Sequence, residues 1–341
     1  MKYTLIIPVY NRLNEVEELL QSAEQLNFDR NLFEFLFVDD GSNDGFKEFI
    51  ETYQSDSGLN IEAIFQQNKG PGAARNYGMS QARGQYFIFI DSDCLFPPNY
   101  LQALDKDLQL HGYDAFGGPD TSHPQFSELL KAINYSMTSF IGTGGTRGGK
   151  KQVGRYYPRS FNMGISRAVY DKIGGMNDLR HGQDMDYSAR IYEAGFNVGF
   201  ILDAFVYHQR RTSLPKFFRQ IFNWGVARIN LGILHPSLLK PVHYLPGLLV
   251  GFYLIVFLIS FVLPVFSKIL LLMLLGHLLV CGYAFFESYK IYRNIKVALL
   301  SIVTLNIQVF GYGSGFLWAL YQRARGKREA KGFVKNYYGK K

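Results

Sequence analysis

The stretch Tyr86-Phe87-Ile88-Phe89-Ile90-Asp91-Ser92-Asp93 decides the reading of this chain. Five apolar residues followed directly by two carboxylates in D-x-D spacing read as a buried strand that ends at a polar mouth. In an open α/β sheet, ligands sit beyond the carboxyl ends of the strands. Alternating positions there can aim both carboxylates at one hard cation. Mg²⁺ and Mn²⁺ take oxygen ligands, typically from one or two carboxylates plus substrate phosphates. A D-x-D alone also fits two exposed turn aspartates, so the surrounding sequence has to decide.

Working outward, Leu5–Val9, Phe33–Val38 and Ile61–Phe65 read as further strands. The run Tyr3–Tyr10 is broken by Pro8 and followed by no small-residue cleavage site, so it reads as a first strand rather than a signal peptide. Helical patterns lie between the strands. Asn14–Gln25 carries Val16, Leu19, Leu20 and Ala23 at helical spacing, with Asn11 or Asn14 as cap; Gly45–Gln54 and Gly72–Ala82 follow. Strand–helix alternation means parallel βαβ units, and near-continuous apolar strands mean a sheet covered on both faces. The expected fold is therefore α/β and Rossmann-like, with a mostly parallel sheet.

Two further acidic pairs belong to this frame. Asp39-Asp40 follows Phe33–Val38 and runs into Gly41-Ser42-Asn43-Asp44-Gly45. It reads either as a polar strand-to-helix turn, with Asn43 or Asp44 capping, or as carboxylates that accept from a nucleotide base or ribose. Gln183-Asp184-Met185-Asp186 reads as the start of a helix, where a carboxylate suits the dipole and a general base can sit.

Composition excludes several classes. The 341 residues are 48% hydrophobic and 16% aromatic, which excludes a disordered chain. Cys94 and Cys281 stand alone, which excludes a disulfide scaffold and a cysteine-rich zinc site. Cys94 reads as a small packing residue. The charge is unevenly spread: residues 1–240 hold 24 Lys and Arg against 26 Asp and Glu, and residues 241–341 hold 12 against 2. A basic excess confined to an apolar end points to a membrane surface rather than to nucleic acid.

The chain changes character near residue 241. Segments 241–266, 269–286 and 297–321 are uncharged stretches of 26, 18 and 25 residues, long enough to cross a hydrocarbon core of about 30 Å. Ser267-Lys268 reads as the tight turn between the first two. His277, inside the second, reads as facing another helix. Ahead of them, Leu214–Leu234 mixes Phe217, Phe218, Ile221, Phe222 and Trp224 with Lys216, Arg219 and Arg228. It suits a helix lying in the interface, or one covering the sheet. Three full crossings would put the tail 323–341, with eight Lys and Arg, on the face opposite an unexported N-terminal domain, against the positive-inside tendency. The third segment contains Asn306, Gln308 and Gly311-Tyr-Gly-Ser-Gly315. It is therefore expected to be re-entrant or bent, broken at these glycines, which leaves the tail cytoplasmic.

An ordered set of motifs carries a resemblance: Ile7-Pro-Val-Tyr-Asn11, Val38-Asp-Asp-Gly-Ser42, Gly72-Ala-Ala-Arg-Asn-Tyr-Gly78, Asp91-Ser-Asp93, Gly174-Gly-Met-Asn177 and Gln183-Asp-Met-Asp186. Over roughly residues 3–230 the chain resembles family 2 glycosyltransferases of the GT-A fold, and its apolar end resembles the C-terminal anchors of bacterial members that build surface polysaccharides. The resemblance implies residues 1–212 as the GT-A domain, 213–240 as an interfacial helix, 241–321 as the membrane region and 322–341 as a basic tail. It implies that Pro8, Tyr10, Asp39, Asp40 and Arg75 line the nucleotide pocket. Asp91 would lie near ribose and metal. Asp93 would be the main ligand of Mn²⁺ or Mg²⁺, and Asp184 the catalytic base. His208, after Phe205-Val-Tyr207, matches a histidine that helps hold metal or phosphate in some members; it reads equally as an ordinary strand-end histidine. Asn162 matches a loop near the acceptor, and Trp224, interfacial, would bring the acceptor to the cleft.

Two positions depart from the family pattern. The usual Glu-Asp pair is Gln183-Asp184, which removes a like charge beside the base. The Gln-x-x-Arg-Trp motif of processive synthases is matched only by Gln220-Ile-Phe-Asn-Trp224. The expected activity is inverting, metal-dependent transfer from a nucleotide-diphosphate sugar to a hydroxyl of a lipid-linked or other membrane-associated glycan. A polyprenyl-phosphate glycosyl synthase and an inactive membrane scaffold are the alternatives. The expected partners are the sugar nucleotide, the glycan acceptor and membrane lipids, with no nucleic acid. The expected place is the bacterial inner membrane, multi-pass, with a cytoplasmic catalytic domain. The stretch 142–149 with Arg147, Lys150 and Lys151 reads as a loop over the donor phosphates or as a linker.

Overall fold

Apolar residues of alternating parity point to opposite sides of a strand, and this chain uses both sides. A computed structural model describes residues 1–53, 55, 58–144, 155–209 and 213–333. The chain divides into two units, one holding the first 123 residues together with 148–209, the other holding 124–147 and 210–334.

The first unit contains β1 (Tyr3–Val9), α1 (Leu13–Ala23), β2 (Phe33–Asp39), α2 (Phe46–Thr52), β3 (Ile61–Phe65), α3 (Pro71–Gln81), β4 (Tyr86–Ile90), β5 (Cys94–Leu95), α4 (Tyr100–His111), β6 (Ala115–Gly117) and β7 (Asp120–Thr121). After an excursion into the second unit, which holds α5 (Glu128–Thr138) and α6 (Phe140–Thr143), it continues with β8 (Asn162–Ser166), α7 (Arg167–Ile173), α8 (Gln183–Glu193), β9 (Val198–Phe200) and β10 (Val206–His208). Seven strands form one sheet in the order β3-β2-β1-β4-β8-β6-β9, in which only β8 runs antiparallel. Leu5, Ile7, Val9, Phe35, Phe37, Ile88 and Ile90 pack on one face with α1 and α4. Ile6, Leu36, Val38, Phe87 and Phe89 pack on the other with Ala74, Met79, Val169 and Tyr187 of α3, α7 and α8. Covering both faces explains why the strands read as unbroken apolar runs.

A second sheet, in the order β5-β10-β7, is only three strands wide, and it sets the chemistry. It places His208 opposite Cys94 and Val206 opposite Asp120.

The loops at the sheet mouth are tied to one another. Asn11, in the left-handed region at φ 52°, donates its backbone N–H to Ser42 Oγ at 2.9 Å and accepts from Asn43 N at 2.8 Å. The expected cap of α1 is corrected: neither Asn11 nor Asn14 caps it, and Leu13 N donates instead to Asp44 Oδ2 at 2.8 Å. The cap comes from the neighbouring loop, so one carboxylate satisfies an orphan helix donor and fixes the loop pair together.

The second unit is helical: besides α5 and α6 it contains α9 (Leu214–Leu234), α10 (Leu245–Ser260), α11 (Pro264–Tyr292), α12 (Ile295–Asn306), a π turn at Ile307–Gly311 and α13 (Tyr312–Ala324). Three segments are long and apolar enough to cross a membrane: Pro241–Ser260, Pro264–Tyr292 and Ile295–Ala324. Helix α9 packs within the helical unit. Phe217 and Ile221 are buried with Ile133 and Met137 of α5, and Val226 and Ile229 with Phe316 and Ala319 of α13.

Two expectations about the helices are corrected. Ser267 and Lys268 form no turn and lie inside α11; the break falls at Phe261–Leu263, just before Pro264. Proline disfavours a helical residue ahead of it and is at home in the first helical turn. The glycines 311, 313 and 315 do not end the third helix. A Cβ at Gly313 would stand 2.3 Å from Pro246 O, and one at Gly315 2.0 Å from Phe222 O. They let backbones meet, the use small residues have in membrane helices.

Candidate active site

The carboxyl ends of β1, β2 and β4 and the start of α3 converge on one mouth. After β2, Asp39 accepts from Ser42 N at 3.1 Å, closing its own turn. Asp40 is buried; its Oδ1 accepts from Lys69 N at 2.8 Å and Gln66 Nε2 at 2.7 Å, and its Oδ2 accepts from Gly70 N at 2.8 Å. This carboxylate shapes the turn that launches α3 at Pro71. Pro8 lies in β1 opposite Val38, one residue before the strand ends, and Tyr10 just beyond the strand is 38% exposed.

The D-x-D pair is divided between two partners. Asp91 Oδ1 accepts from Arg75 Nη2 at 2.5 Å, and the Arg75 side chain is only 7% exposed. Arg75 Nε has no hydrogen-bond partner among the described residues. Asp93 Oδ1 lies 3.2 Å from His208 Nε2, and the other ring nitrogen of His208 lies 3.3 Å from Asp120 Oδ2. Burial alone would push His208 down, but Asp93 and Asp120 on either side outweigh it and hold the imidazolium up to about 9.

Of the three expected metal ligands, Asp93 and His208 come together and Asp91 does not. Asp93, Cys94 and His208 offer ligand atoms within 4.8 Å of one another. Cys94 is a poor member of that set. Burial, reinforced by three aspartates, pushes its thiol well up, so it stays protonated, and its Sγ donates toward Phe161 O at 3.7 Å. A carboxylate oxygen with an imidazole whose far nitrogen is held by a second carboxylate is a metal-type donor set with its supporting shell in place. Its mixed oxygen and nitrogen character fits Mn²⁺ better than Mg²⁺.

Asp184 stands in the first turn of α8 and is partly exposed; one oxygen accepts from Met185 N at 2.9 Å. Its neighbour Gln183 packs on α3 so closely that a Cβ at Gly72 would stand 2.2 Å from Gln183 Nε2. Asn76, one turn further along α3, accepts from Met176 N at 2.7 Å and donates to Met176 O at 2.8 Å. Arg190 of α8 reaches back to Asp186 Oδ2 at 3.2 Å and Ile173 O at 3.0 Å. Asp40, Asp93 and Asp184 thus belong to one contact chain: Asp40 to Gly70, α3 to Gln183 at one end, and Arg75 to the Asp91 turn at the other.

The acceptor assignments fare differently. Asn162 is corrected: it opens strand β8 rather than standing in a loop, is 1% exposed, accepts from Tyr100 OH at 2.7 Å and donates to Ala204 O at 2.8 Å, so its side chain is engaged in the interior. Trp224 belongs to the second unit and packs there beside Phe217 and Ile221. Of the expected phosphate loop, residues 142–144 close α6, and residues 145–151, with Arg147, Lys150 and Lys151, lie outside the described residues. Sequence reasoning missed Asp120, which sits on a two-residue strand, and Asn76, whose clamp on Met176 nothing in a linear reading signals.

Comparison with known proteins adds the following. The family described as "Glycosyl transferase family 2" matches residues 4–174. Glycosyltransferase AglE of Haloferax volcanii is 28% identical over 264 residues, 71% of this chain and 83% of that protein. An uncharacterized glycosyltransferase of Rickettsia felis is 35% identical over 140 residues, 41% of this chain, and this chain spans only 22% of its length. Among solved structures, the mannosyltransferase PcManGT from Pyrobaculum calidifontis, in complex with GDP-Man and Mn²⁺, superposes with a TM-score of 0.59 at 18% identity, covering 93% of this chain and 87% of that one.

Proposed function

The chain belongs to glycosyltransferase family 2, with the GT-A fold, and on that premise we propose that it moves a sugar, with inversion, from a nucleotide-diphosphate sugar to a hydroxyl of a membrane-associated glycan. The observation that carries this reading is the Asp93–His208–Asp120 row beside the Arg75–Asp91 pair, at the carboxyl end of the central strand. The same fold holds GDP-Man and Mn²⁺ in the Pyrobaculum protein, which is fold-level support for a sugar-nucleotide donor.

Each residue has a part. Tyr10 and Pro8 offer an apolar surface to the base, while Asp39 and Asp40 hold the turns that shape its pocket. Arg75 holds Asp91 through an ion pair and orients it toward the ribose side. Asp93 and His208 would hold the divalent ion, which when bound offsets the charge of the departing nucleoside diphosphate. Asp184 has an oxygen beyond the one engaged by Met185 N, and that oxygen takes the proton of the acceptor hydroxyl. Holding both partners in one cleft supplies much of the acceleration. The three long apolar segments support an acceptor confined to the membrane, and in this reading it is lipid-linked and serves surface polysaccharide synthesis.

The test is to screen hydrolysis and transfer of UDP- and GDP-sugars by the full chain in lipid nanodiscs, with and without Mn²⁺, and to repeat it with Asp93→Ala. Turnover of at least one sugar nucleotide, stimulated by Mn²⁺ and lost in the variant, is expected. Failure to bind or turn over any would leave an inactive scaffold. Transfer to a free soluble sugar that is indifferent to membranes would remove the lipid-linked acceptor.

A further inference from the structure

We propose that the end of helix α9 holds the phosphate of a membrane lipid on the Nε–Nη2 edge of Arg228. The site lies wholly within the helical unit and does not rest on the sugar-transfer reading.

Arg228 is only partly satisfied by the protein. A guanidinium presents five N–H donors in a planar fork. Among the described residues Arg228 makes one hydrogen bond, from Nη1 to Leu238 O at 3.0 Å. Its Nε is buried and has no hydrogen-bond partner. Nη1 stands on the side of the fork away from Nε, so the contact with Leu238 leaves the Nε–Nη2 edge whole. That edge carries two parallel N–H groups at the spacing of two phosphate oxygens. Buried donors of a folded protein are nearly always met, so this edge calls for an acceptor from outside the chain.

No carboxylate of the unit supplies that acceptor. From Ser213 to Phe286 the sequence has neither Asp nor Glu. The unit's three carboxylates are Glu128, Glu287 and Glu329. Glu287 accepts from Tyr135 OH at 2.6 Å and Tyr283 OH at 3.1 Å, Glu128 stands in the first turn of α5, and Glu329 is exposed. None of them pairs with Arg228 among the described residues.

The turn that faces Arg228 is tightly folded. Past Leu234 the chain comes back over α9 through two short 3-10 turns, Pro236–Leu238 and Pro241–His243. Leu239 lies on Gly232 so closely that a Cβ there would stand 2.7 Å from Leu239 Cβ. This close return presents Leu238 O to Arg228 and is followed at once by Lys240. His243 Nδ1 accepts from Lys240 N at 2.9 Å, which places the ring proton on Nε2. The same turn therefore adds a second cation and a further N–H donor.

Position selects the ligand. The first long apolar segment begins at Pro241, three residues after Leu238, so the Arg228–Leu238 contact stands at headgroup level. Phosphate is the anion that membrane lipids offer at that depth, and basic pockets beside spans take such headgroups. Trp224, one turn before Arg228 on the same side of α9, packs beside Phe217 and Ile221, as suits an indole at the interface. A phosphate ester of a bulk anionic phospholipid and one of a polyprenyl phosphate offer the same oxygens to this edge.

The test is lipid binding by the full chain in neutral detergent, read by native mass spectrometry. The probes are dioleoyl phosphatidylglycerol and a polyprenyl phosphate, with dioleoylglycerol as the phosphate-free control. At least one phosphorylated lipid should stay bound where dioleoylglycerol is lost. Tighter binding of the polyprenyl phosphate assigns the site to an isoprenoid-linked ligand, and equal or tighter binding of phosphatidylglycerol assigns it to the bulk leaflet. Arg228→Gln should weaken the bound lipid by about tenfold or more. Arg228→Lys, which keeps a charge and a donor for Leu238 O but not the paired N–H edge, should weaken it by a smaller factor. Arg219→Gln, which removes an equal charge from an exposed position of the same helix, should leave binding unchanged. Binding no tighter than that of dioleoylglycerol overturns the proposal, as does parental affinity in either Arg228 variant or an equal loss in Arg219→Gln.

Discussion

His208 Nε2 lies 3.2 Å from Asp93 Oδ1, and this single approach joins the end of the central strand to a strand more than a hundred residues later. It also sets a pH dependence. In the metal-free protein the imidazolium is held up to about 9, whereas in the unfolded chain it returns to the ordinary value of about 6.5. The folded state binds the extra proton between those values, so its stabilisation is full below pH 6.5 and is lost as pH rises through 9. The gap corresponds to about 3 kcal/mol. Thermal unfolding in EDTA should show Tm falling from pH 6.5 to 9, and His208→Gln should flatten that slope. A Tm that rises over this window would contradict the pairing.

Metal addition separates the real ligands from a bystander. An ion that binds only the folded protein stabilises it by about 2.7 kcal/mol at a hundred times its Kd. Mn²⁺ should therefore raise Tm, and Asp93→Ala should abolish that rise while the protein remains folded. Cys94→Ser should keep the rise, because the buried thiol stays protonated and contributes no ligand. Loss of the Mn²⁺ effect in Cys94→Ser alone would make sulfur a ligand after all.

Arg75 and Asp91 should behave as a unit. The guanidinium is buried, so removing its carboxylate strands a charge. Asp91→Ala is expected to cost about 3 kcal/mol, and Arg75→Met less, since Asp91 is partly exposed and can hydrate. The double variant should cost less than the sum of the two in urea denaturation. Additive costs would mean that the pair is not coupled.

The sheet was readable from sequence because its strands are long, apolar on both faces and separated by periodic helices; all seven helix and strand assignments from Leu5 to Ile90 are found, two with the same bounds and five differing only at their ends. The motif residues were also readable as a set, since each closes a turn at the same mouth. What resisted reading was pairwise. Asp120 sits on a two-residue strand with no periodicity, and only the register with Val206 brings it to His208. Asn162 looks like a loop polar residue, yet it is an interior strut between Tyr100 and Ala204. Helix α5 has a cap in Ser127, whose Oγ accepts from Leu130 N at 3.4 Å, but its partner Thr304 lies 172 residues away. Ser267-Lys268 misled because polarity was weighed above Pro264, which dictates where α11 starts. The Gly311–Gly315 run misled because glycine is both a helix breaker and a close-packing residue, and only the neighbouring backbone decides which.

Asp184 is the residue on which the reaction class turns. If it takes the proton of an acceptor hydroxyl, Asp184→Asn should lower kcat by about 10²–10⁴-fold while leaving sugar-nucleotide affinity near that of the parent. A polyprenyl-phosphate acceptor is already ionised and needs no base. Activity spared in Asp184→Asn, measured with both a glycan and a lipid-phosphate acceptor, would transfer the assignment to that second class.

Gly72 tests whether Asp184 is positioned from α3. A methyl group there would stand 2.2 Å from Gln183 Nε2 and 2.6 Å from its Cδ, so the glutamine has to leave, and Asp184 is the next residue. The clash is with a flexible side chain, not with backbone, and alanine gains about 1 kcal/mol of helix propensity over glycine, so Tm should change little. Transfer should nevertheless fall, because the first turn of α8 loses the contact that seats it. Gly72→Ala combined with Gln183→Ala removes the clash and should recover part of the lost rate. A single Gly72→Ala that transfers sugar at the parent rate would mean that Gln183 moves aside without carrying Asp184 with it, and that α8 holds its base through Asn177, Asp186 and Arg190 alone.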